Sequence, residues 1–407
     1  MTFIWHLVRL RRIEIWILFY MSVLTGIDVL EKNGFNILKN AKVGVVVNPA
    51  SVNRHIEPTL DLLLKNGIKV NAIFAPQHGL YAETQANMIE WEGFIDKRTG
   101  LPVYSLYGRV RKPQPEMLKK IDILVFDLPD VGARYYTFIW TLGLCMQACA
   151  AQEKRIVILD RPNPINGVKV EGPVLDPEFS SFVGMYSLAV RHGMTVGELA
   201  LMFNKEFGID CQIEIVKMEG WKREMWFDDT RLPWVIPSPN MPTLDTATVY
   251  PGMCLFEGTN LSEGRGTTRP FEIFGAPWLD PYLLKEMLEK EKFPGVFFRP
   301  LSFIPTFNKW RDELCRGIQI HVTDRAYFLP FEIALAIVKY SQELHPDSFR
   351  WSAPPYEYEE KKLPFDIIAG TDRLRKMMNK ELKDICLSWQ KDLTEFKVMR
   401  EKYLLYG

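Results

Sequence analysis

From residue 43 the chain alternates short apolar runs with longer amphipathic ones. "VGVVV", "VNAIFA", "PVYSLY", "DILVFDL" and "RIVILD" are apolar on both faces and rich in β-branched residues, the pattern of buried strands. Between them, "IEPTLDLLLKNG", "PQPEMLKKI" and "RYYTFIWTLGLCMQACAAQE" read as helices. Continuous hydrophobic strands separated by helices predict a parallel sheet covered on both sides. The fold class that follows is α/β, with a Rossmann-like doubly wound domain over residues 25–210. Thr195 and Glu198 form a T-x-x-E capping box that starts the next helix. After "CQIEIVKM" the composition shifts to Pro, Gly, Asn, Thr and Trp. Helical periods return in "PYLLKEMLEKE" and "PFEIALAIVKYSQEL", with a strand at "GIQIHVTD". This predicts a smaller α+β domain over residues 211–407.

Residues 1–24 are read as an extension. "RLRR" followed by "IEIWILFYMSVL" has the basic and apolar parts of a signal peptide. The apolar run is too short to span a bilayer, contains Glu14, and has no small-residue cleavage site. Met21 would serve equally as a start. A cytoplasmic location is expected, with export through a weak signal as the alternative.

Composition removes several function classes. Lys+Arg and Asp+Glu both total 50, so no net field draws the chain to nucleic acid or to an anionic membrane. Six cysteines include one close pair, Cys145 and Cys149, on one face of an apolar helix. Buried free thiols explain that pair better than a metal or a disulfide. There is no G-x-G-x-x-G after the first strand, and no Walker motif or H-E-x-x-H.

Chemistry collects where the strands end. The runs lead into Asn48-Pro49, Pro76-Gln77-His78-Gly79, Gly108-Arg109, Pro129-Asp130-Val131-Gly132-Ala133-Arg134 and Arg161-Pro162-Asn163-Pro164. In a doubly wound sheet these carboxyl ends are where ligands bind. Bland readings stand beside this. Asn48 and Asn163 precede prolines and suit turns. Asp130 suits the cap of a helix beginning near Ala133. Arg134 and Tyr135 suit packing on the sheet, although an Arg in a first helical turn is opposed by the dipole. His78, between Gln77 and Gly79, favours a site role. His78, Asp130 and His192 have no metal-ligand spacing, and neither a metal nor a cofactor is expected.

A second polar cluster lies in "PSPNMPTLDTATVYPG" and "EGTNLSEGRGTTRPFE", which hold Asn240, Glu257, Asn260, Glu263, Arg265, Arg269 and Glu272 among glycines and threonines. Glycine permits close ligand approach, while Arg and Glu supply charge and proton chemistry.

The segments "TGLPVYSLYG", "DVGARYYTFIWT", "LDRPNPINGVKVEGPVLDPEFSSFVGMY", "VRHGMTVGELA", "PSPNMPTLDTATVYPG" and "EGTNLSEGRGTTRPFE" resemble the exo-β-N-acetylmuramidase family of glycoside hydrolases. The resemblance runs from about Thr25 to Tyr406. It implies a Rossmann-like domain, a smaller second domain and a site in the cleft between them. It also implies release of terminal N-acetylmuramic acid from peptidoglycan fragments, with a sugar or muropeptide as the partner, no cofactor, and an oligomeric state left open. The lactyl carboxylate of that sugar would suit Arg265, Arg269 or Arg134.

One departure matters. Family muramidases resemble this chain around "APQHG" but place a glutamate, the proposed catalytic acid, where Gln77 stands. An amide cannot deliver a proton to a leaving oxygen. Glu83 or Glu263 is therefore expected as the acid, with Asp130 holding His78 or activating water. Glu90 and Glu92 are further candidates, and substrate assistance by the 2-acetamido group is another route. Asn48, Arg134, Tyr135, Arg161, Asn163, Glu171, His192, Asn240, Asn260, Arg265 and Arg269 form the expected substrate-binding set. The rival is a sugar-binding protein made catalytically silent by Gln77.

Overall fold

The computed structural model describes residues 22–86 and 88–407. The signal-like stretch and Met21 lie outside the described residues. Among these residues no helix is long and apolar enough to cross a membrane.

The strands in chain order are β1 (Lys42–Val46), β2 (Lys69–Ala75), β3 (Phe94–Ile95), β4 (Pro102–Ser105), β5 (Ile123–Phe126), β6 (Arg155–Leu159), β7 (Glu171–Val174), β8 (Ala189–Arg191) and β9 (Ile213–Val216). Seven form one sheet in the order β3-β4-β2-β1-β5-β6-β9, parallel except for β3, which runs antiparallel to β4. Without that edge strand the chain builds outward from β1 in one direction and then, from β5, in the other. This is a doubly wound sheet whose order reverses between β1 and β5. Its last strand, β9, pairs with β6 and lies past residue 210, so the sheet extends beyond the boundary expected there.

Alternation along each strand separates two cores. Val43, Val45, Ile73, Val125, Val157 and Leu159 pack on one side. Phe74, Leu124, Phe126, Ile156 and Ile158 pack on the other, under the helices Phe138–Ala151 and Val196–Glu206. The second helix starts at the expected capping box, where the Glu198 amide donates to Thr195 and the Thr195 amide donates to the Glu198 carboxylate.

The second part is built on a three-stranded antiparallel sheet in the order β10-β12-β11. Its strands are β10 (Ile273–Ala276), β11 (Val296–Phe303) and β12 (Cys315–Val322). Helix Pro281–Lys290 packs on it, helix Pro330–Leu344 packs against that helix, and Phe274, Phe331 and Phe365 join the same apolar core as Phe74 and Trp140. The seam is close-packed. Gly172 of β7 has φ 79°, and a Cβ there would lie 2.8 Å from Val190 and 3.2 Å from the Phe331 ring. Glu171 beside it accepts from the amides of Phe331 and Glu332, capping helix Pro330–Leu344 from the other domain. One core and one cross-domain cap hold the two parts as a unit.

Candidate active site

β2 leaves the sheet through a tight turn in which the Gly79 amide donates to the Pro76 carbonyl, with His78 at φ 71° and Gly79 at φ 84°. The turn directs Gln77 and His78 into a hollow at the domain seam. Tyr135, Thr137, Ser238, Asn240, Glu257, Arg265, Tyr356 and Glu357 are among its other lining residues.

His78 is buried. Its Nδ1 lies 2.7 Å from the Thr84 carbonyl, which can only accept, so Nδ1 carries the hydrogen and Nε2 the lone pair. Burial pulls its pKa down to about 4 against that hydrogen bond, with Arg265 adding to the pull. The imidazole is therefore neutral at neutral pH.

Gln77 is oriented from two sides. The Thr137 hydroxyl donates to Oε1 at 2.7 Å, leaving Nε2 to donate to Glu357 Oε1 at 3.4 Å. The Tyr107 hydroxyl donates to the other Glu357 oxygen at 2.9 Å. Glu357 is 3% exposed. Burial raises its pKa to about 7, with Glu257 also raising it and the Tyr107 bond, the Gln77 bond and Arg265 opposing.

The backbone at Glu357 is unusual. Tyr356 and Glu359 exchange two amide–carbonyl bonds of 2.9 Å around a two-residue turn, and both central residues, Glu357 (φ 44°) and Tyr358 (φ 70°), are left-handed. Such turns normally take Asn-Gly. Glutamate and tyrosine there cost of the order of 1 kcal/mol or more each. The surrounding structure therefore holds this acid against local preference.

Arg265 closes the far wall. Its Nη1 lies 2.7 Å from Glu257 Oε1 and 3.0 Å from Glu263 Oε1, and the Tyr356 hydroxyl takes the second Glu257 oxygen at 2.7 Å. The hollow thus presents a neutral imidazole, an amide, a protonatable carboxyl and a charge-balanced arginine.

The sequence matches the profile described as "Exo-beta-N-acetylmuramidase NamZ, N-terminal" over residues 43–245 and its C-terminal counterpart over residues 248–406. The chain belongs to the exo-β-N-acetylmuramidase family. It is 46% identical to the peptidoglycan beta-N-acetylmuramidase NamZ of Bacillus subtilis over 388 residues, 95% of this chain and 92% of that protein. Two crystal structures of DUF1343 family proteins from Bacteroides fragilis share the fold. One has a TM-score of 0.86 at 36% identity, covering 95% of this chain and 100% of that one. The other has a TM-score of 0.75 at 31% identity, covering 95% and 99%.

Within this muramidase fold the structure brings together Gln77, His78, Tyr135, Asn240 and Arg265. Asn240 also ties down the loop after His78 by donating to the Gln85 carbonyl at 2.8 Å. The other expected acids are placed elsewhere. Glu83, Glu90 and Glu92 are exposed and do not line the hollow. Glu263 is sealed behind it by Arg265, by Lys309 at 3.1 Å and by Asn308 at 3.0 Å. Burial would raise its pKa, but Lys309 and Arg265 hold it below the ordinary value.

Asp130 does not meet His78. It accepts from the Gly132 amide at 2.7 Å and lies 3.1 Å from His192 Nε2, and it lines a different, more apolar hollow with Arg161, Phe227, Trp234 and several prolines. That second hollow sits at the β1/β5 reversal, where doubly wound sheets usually take ligands. Nor does Asp130 cap a helix beginning near Ala133, because the helix starts at Phe138.

Most of the remaining expected binders serve the scaffold. Arg134 is fully buried and donates to the carbonyls of Pro173, Leu188 and Ile368, which answers why an arginine stands there. Arg161 forms a bidentate pair with Asp127 at 2.6 and 2.8 Å. Asn48 and Asn163 accept from the amides of Ala50 and Ile165, the turn-forming alternative. Asn260 bridges Ser348 and Arg350, and Arg269 pairs with Glu272 at the surface. Glu171 is the helix cap already described.

Glu357 is absent from the sequence expectations. It stands in "YEYEEKK", a run that reads as a solvated face. The consecutive prolines Pro354 and Pro355 just before it are the local signal for a turn.

Proposed function

We propose that this chain is a glycoside hydrolase that releases terminal N-acetylmuramic acid, or a related acidic amino sugar, from peptidoglycan fragments. The observation that carries the reading is a buried carboxyl, Glu357, in the same hollow as Gln77, His78 and Arg265. Without it, the carboxyl left among the lining residues would be Glu257, which is paired with Arg265, and the amide at position 77 would favour the silent sugar-binding reading. Similarity to the B. subtilis peptidoglycan beta-N-acetylmuramidase supports the substrate class.

Hydrolysis needs a proton for the leaving oxygen, a path for water to the anomeric carbon and hydrogen bonds that orient the sugar. Glu357 carries an exchangeable proton near neutral pH. His78 offers its Nε2 lone pair to water or to a sugar hydroxyl, and Asn240 and Ser238 line the same wall. The lactyl carboxylate needs a cation, and Arg134, Arg265 and Arg269 are already committed. Arg111 remains. Its guanidinium carbon lies 3.4 Å from the Tyr358 ring centroid and 5.7 Å from that of Phe182, and no carboxylate pairs with it among the described residues. Tyr358 follows Glu357 and Phe182 precedes Val183, both in the lining. We assign Arg111 to the substrate carboxylate. The six free cysteines suit a cytoplasmic site of action.

The test is turnover of a chromogenic N-acetylmuramic acid glycoside by the unmutated chain, with and without a chelator. Chelator-insensitive release is expected. Saturable binding of the sugar with no release would establish the silent binder instead.

A further inference from the structure

We infer that Glu357 delivers the proton in this chain and that Gln77 is its positioning residue. The inference rests on the glycosidase reading above and deepens it by naming the group that moves the proton.

Elimination comes first. Both oxygens of Glu257 are engaged, one by Arg265 and Cys254 and the other by Tyr356. One of these donors is a guanidinium, so the Glu257 carboxylate is committed to an ion pair in the wall. Glu263 is sealed behind the wall, and Asp130 belongs to the other hollow. Glu357 differs from all of these. Its hydrogen-bond donors, Tyr107 and Gln77, are neutral, and no cation pairs with it among the described residues. The charged and titratable groups around it are Tyr107, Tyr356, Glu257 and Arg265, with His78 across the hollow. Of the charged pair, Glu257 favours its protonated form and Arg265 opposes that form.

Gln77 explains why one acid suffices. With Thr137 holding its carbonyl oxygen, the amide nitrogen faces Glu357 at 3.4 Å. A glutamate at 77 would put two carboxyl oxygens at about that separation. They would share one proton, because like charges that close cannot both ionise. Replacing one carboxyl by an amide removes the sharing and leaves a single titrating group, fixed in place by the amide N–H. The left-handed turn at Glu357 and Tyr358 is the backbone counterpart of the same arrangement.

The step balances with one carboxyl. Glu357 gives its proton to the glycosidic oxygen as the bond from that oxygen to the anomeric carbon breaks, and the bond's electron pair leaves with the oxygen. Water then bonds to the anomeric carbon, and its surplus proton returns to the Glu357 carboxylate. The net change is one water consumed and two hydroxyls formed.

The experiment compares the unmutated chain with Glu357→Gln and Gln77→Glu on the chromogenic muramic glycoside, with kcat measured from pH 5 to 9. Glu357→Gln is expected to lower kcat by about 10²–10⁴-fold. In the unmutated chain the rate should fall as pH rises through about 7, where Glu357 loses its proton. In Gln77→Glu that alkaline limb should move up by about one pH unit or more, because the second carboxyl retains the shared proton.

A fold readout accompanies these rates. The Glu357 pKa is raised on folding, so its contribution to stability is present at low pH and is lost as pH rises through about 7. Glu171 and Asp160, raised by burial to about 7 and about 6, titrate in the same window. The diagnostic is therefore the difference between the two melting-temperature curves, with Glu357→Gln showing the shallower fall. Retained turnover in a folded Glu357→Gln variant, or an unmoved limb in Gln77→Glu, overturns this inference and leaves the glycosidase reading standing. No turnover by the unmutated chain removes both.

Discussion

Two clusters of buried polar side chains face the carboxyl edge of the sheet, and they are closed in different ways. At the ends of β5 and β6, Asp127 and Arg161 form a bidentate pair, Thr59 donates to Asp127, and Asp160 accepts from Thr195, Gly197 and Tyr406. At the end of β2, Gln77, His78 and Glu357 are held by neutral hydrogen bonds, and among the described residues no ion pair involves any of the three. Asp160 of the first cluster is raised by burial to about 6 but lines neither hollow, whereas the second cluster keeps a protonatable carboxyl and an imidazole lone pair at one. Doubly wound folds usually work at the strand reversal. Here the reversal is walled by a charge pair and by the Pro233–Trp234 segment, and the hollow that holds Gln77, His78 and Glu357 lies one strand away.

The sharpest way to break the contrast is to open the closed cluster. Arg161→Met leaves the carboxylate of Asp127, a fully buried residue, without its cation. Breaking a buried pair from one side destabilises by about 3–5 kcal/mol. Urea unfolding should show a loss of this size for Arg161→Met, against about 0.5–1.5 kcal/mol, the range of an ordinary hydrogen bond, for the isosteric Glu357→Gln. Equal losses in the two variants would mean that the β2 end is also scaffold.

Glu263→Gln gives an intermediate effect. The Glu263 carboxylate neutralises Lys309 and shares Arg265 with Glu257. Removing its charge should destabilise by about 2–3 kcal/mol, the range of a charged hydrogen bond. Turnover of the folded variant should survive far better than in Glu357→Gln. Complete loss of activity in a stable Glu263→Gln protein would restore Glu263 as the acid and reverse the comparison.

The sequence showed the scaffold more readily than the chemistry. β1, β2, β5 and β6 were legible because strands buried on both faces read as unbroken apolar runs, and β4, only half-buried, was legible from the apolar start of its run. β9 was not assigned to the sheet, since "IEIV" alternates and is only half-buried at the edge. The helix after β5 begins at Phe138 because Arg134, Tyr135 and Tyr136 are drawn into seam contacts, and aromatic residues in "RYYTFIW" give no period that marks the start. Site residues at strand ends were easier to find than residues delivered by a turn. Gln77 and His78 follow an obvious strand. Glu357 depends on two left-handed residues with none of the Asn-Gly chemistry that announces such a turn. Arg265 was legible as a charge among glycines, and Glu257 and Glu263 as acids of the same run, but not that both pair with it, which determines whether it meets a ligand or a wall.

The smallest expected effect tests what lies between the two clusters and solvent. Arg111 rests its guanidinium on the Tyr358 ring, which fixes the plane and leaves the N–H edge for an anion. A lysine keeps the charge but loses both the stacking and the paired donors, so Arg111→Lys should weaken recognition of a carboxylate without touching proton transfer. KM for a muramic acid glycoside should rise about tenfold, equivalent to about 1.4 kcal/mol, with kcat nearly unchanged. The same variant should leave KM for the matching N-acetylglucosamine glycoside, which lacks the lactyl group, where it was. If both substrates weaken together, Arg111 is only propping up the Tyr358 turn. If neither changes, the anion is met elsewhere in the hollow, and Arg265 must exchange one of its carboxylates for that of the substrate. Such an exchange would make Glu257 or Glu263 the group displaced on binding, and the neutral character of the β2 end would then belong to the empty site alone.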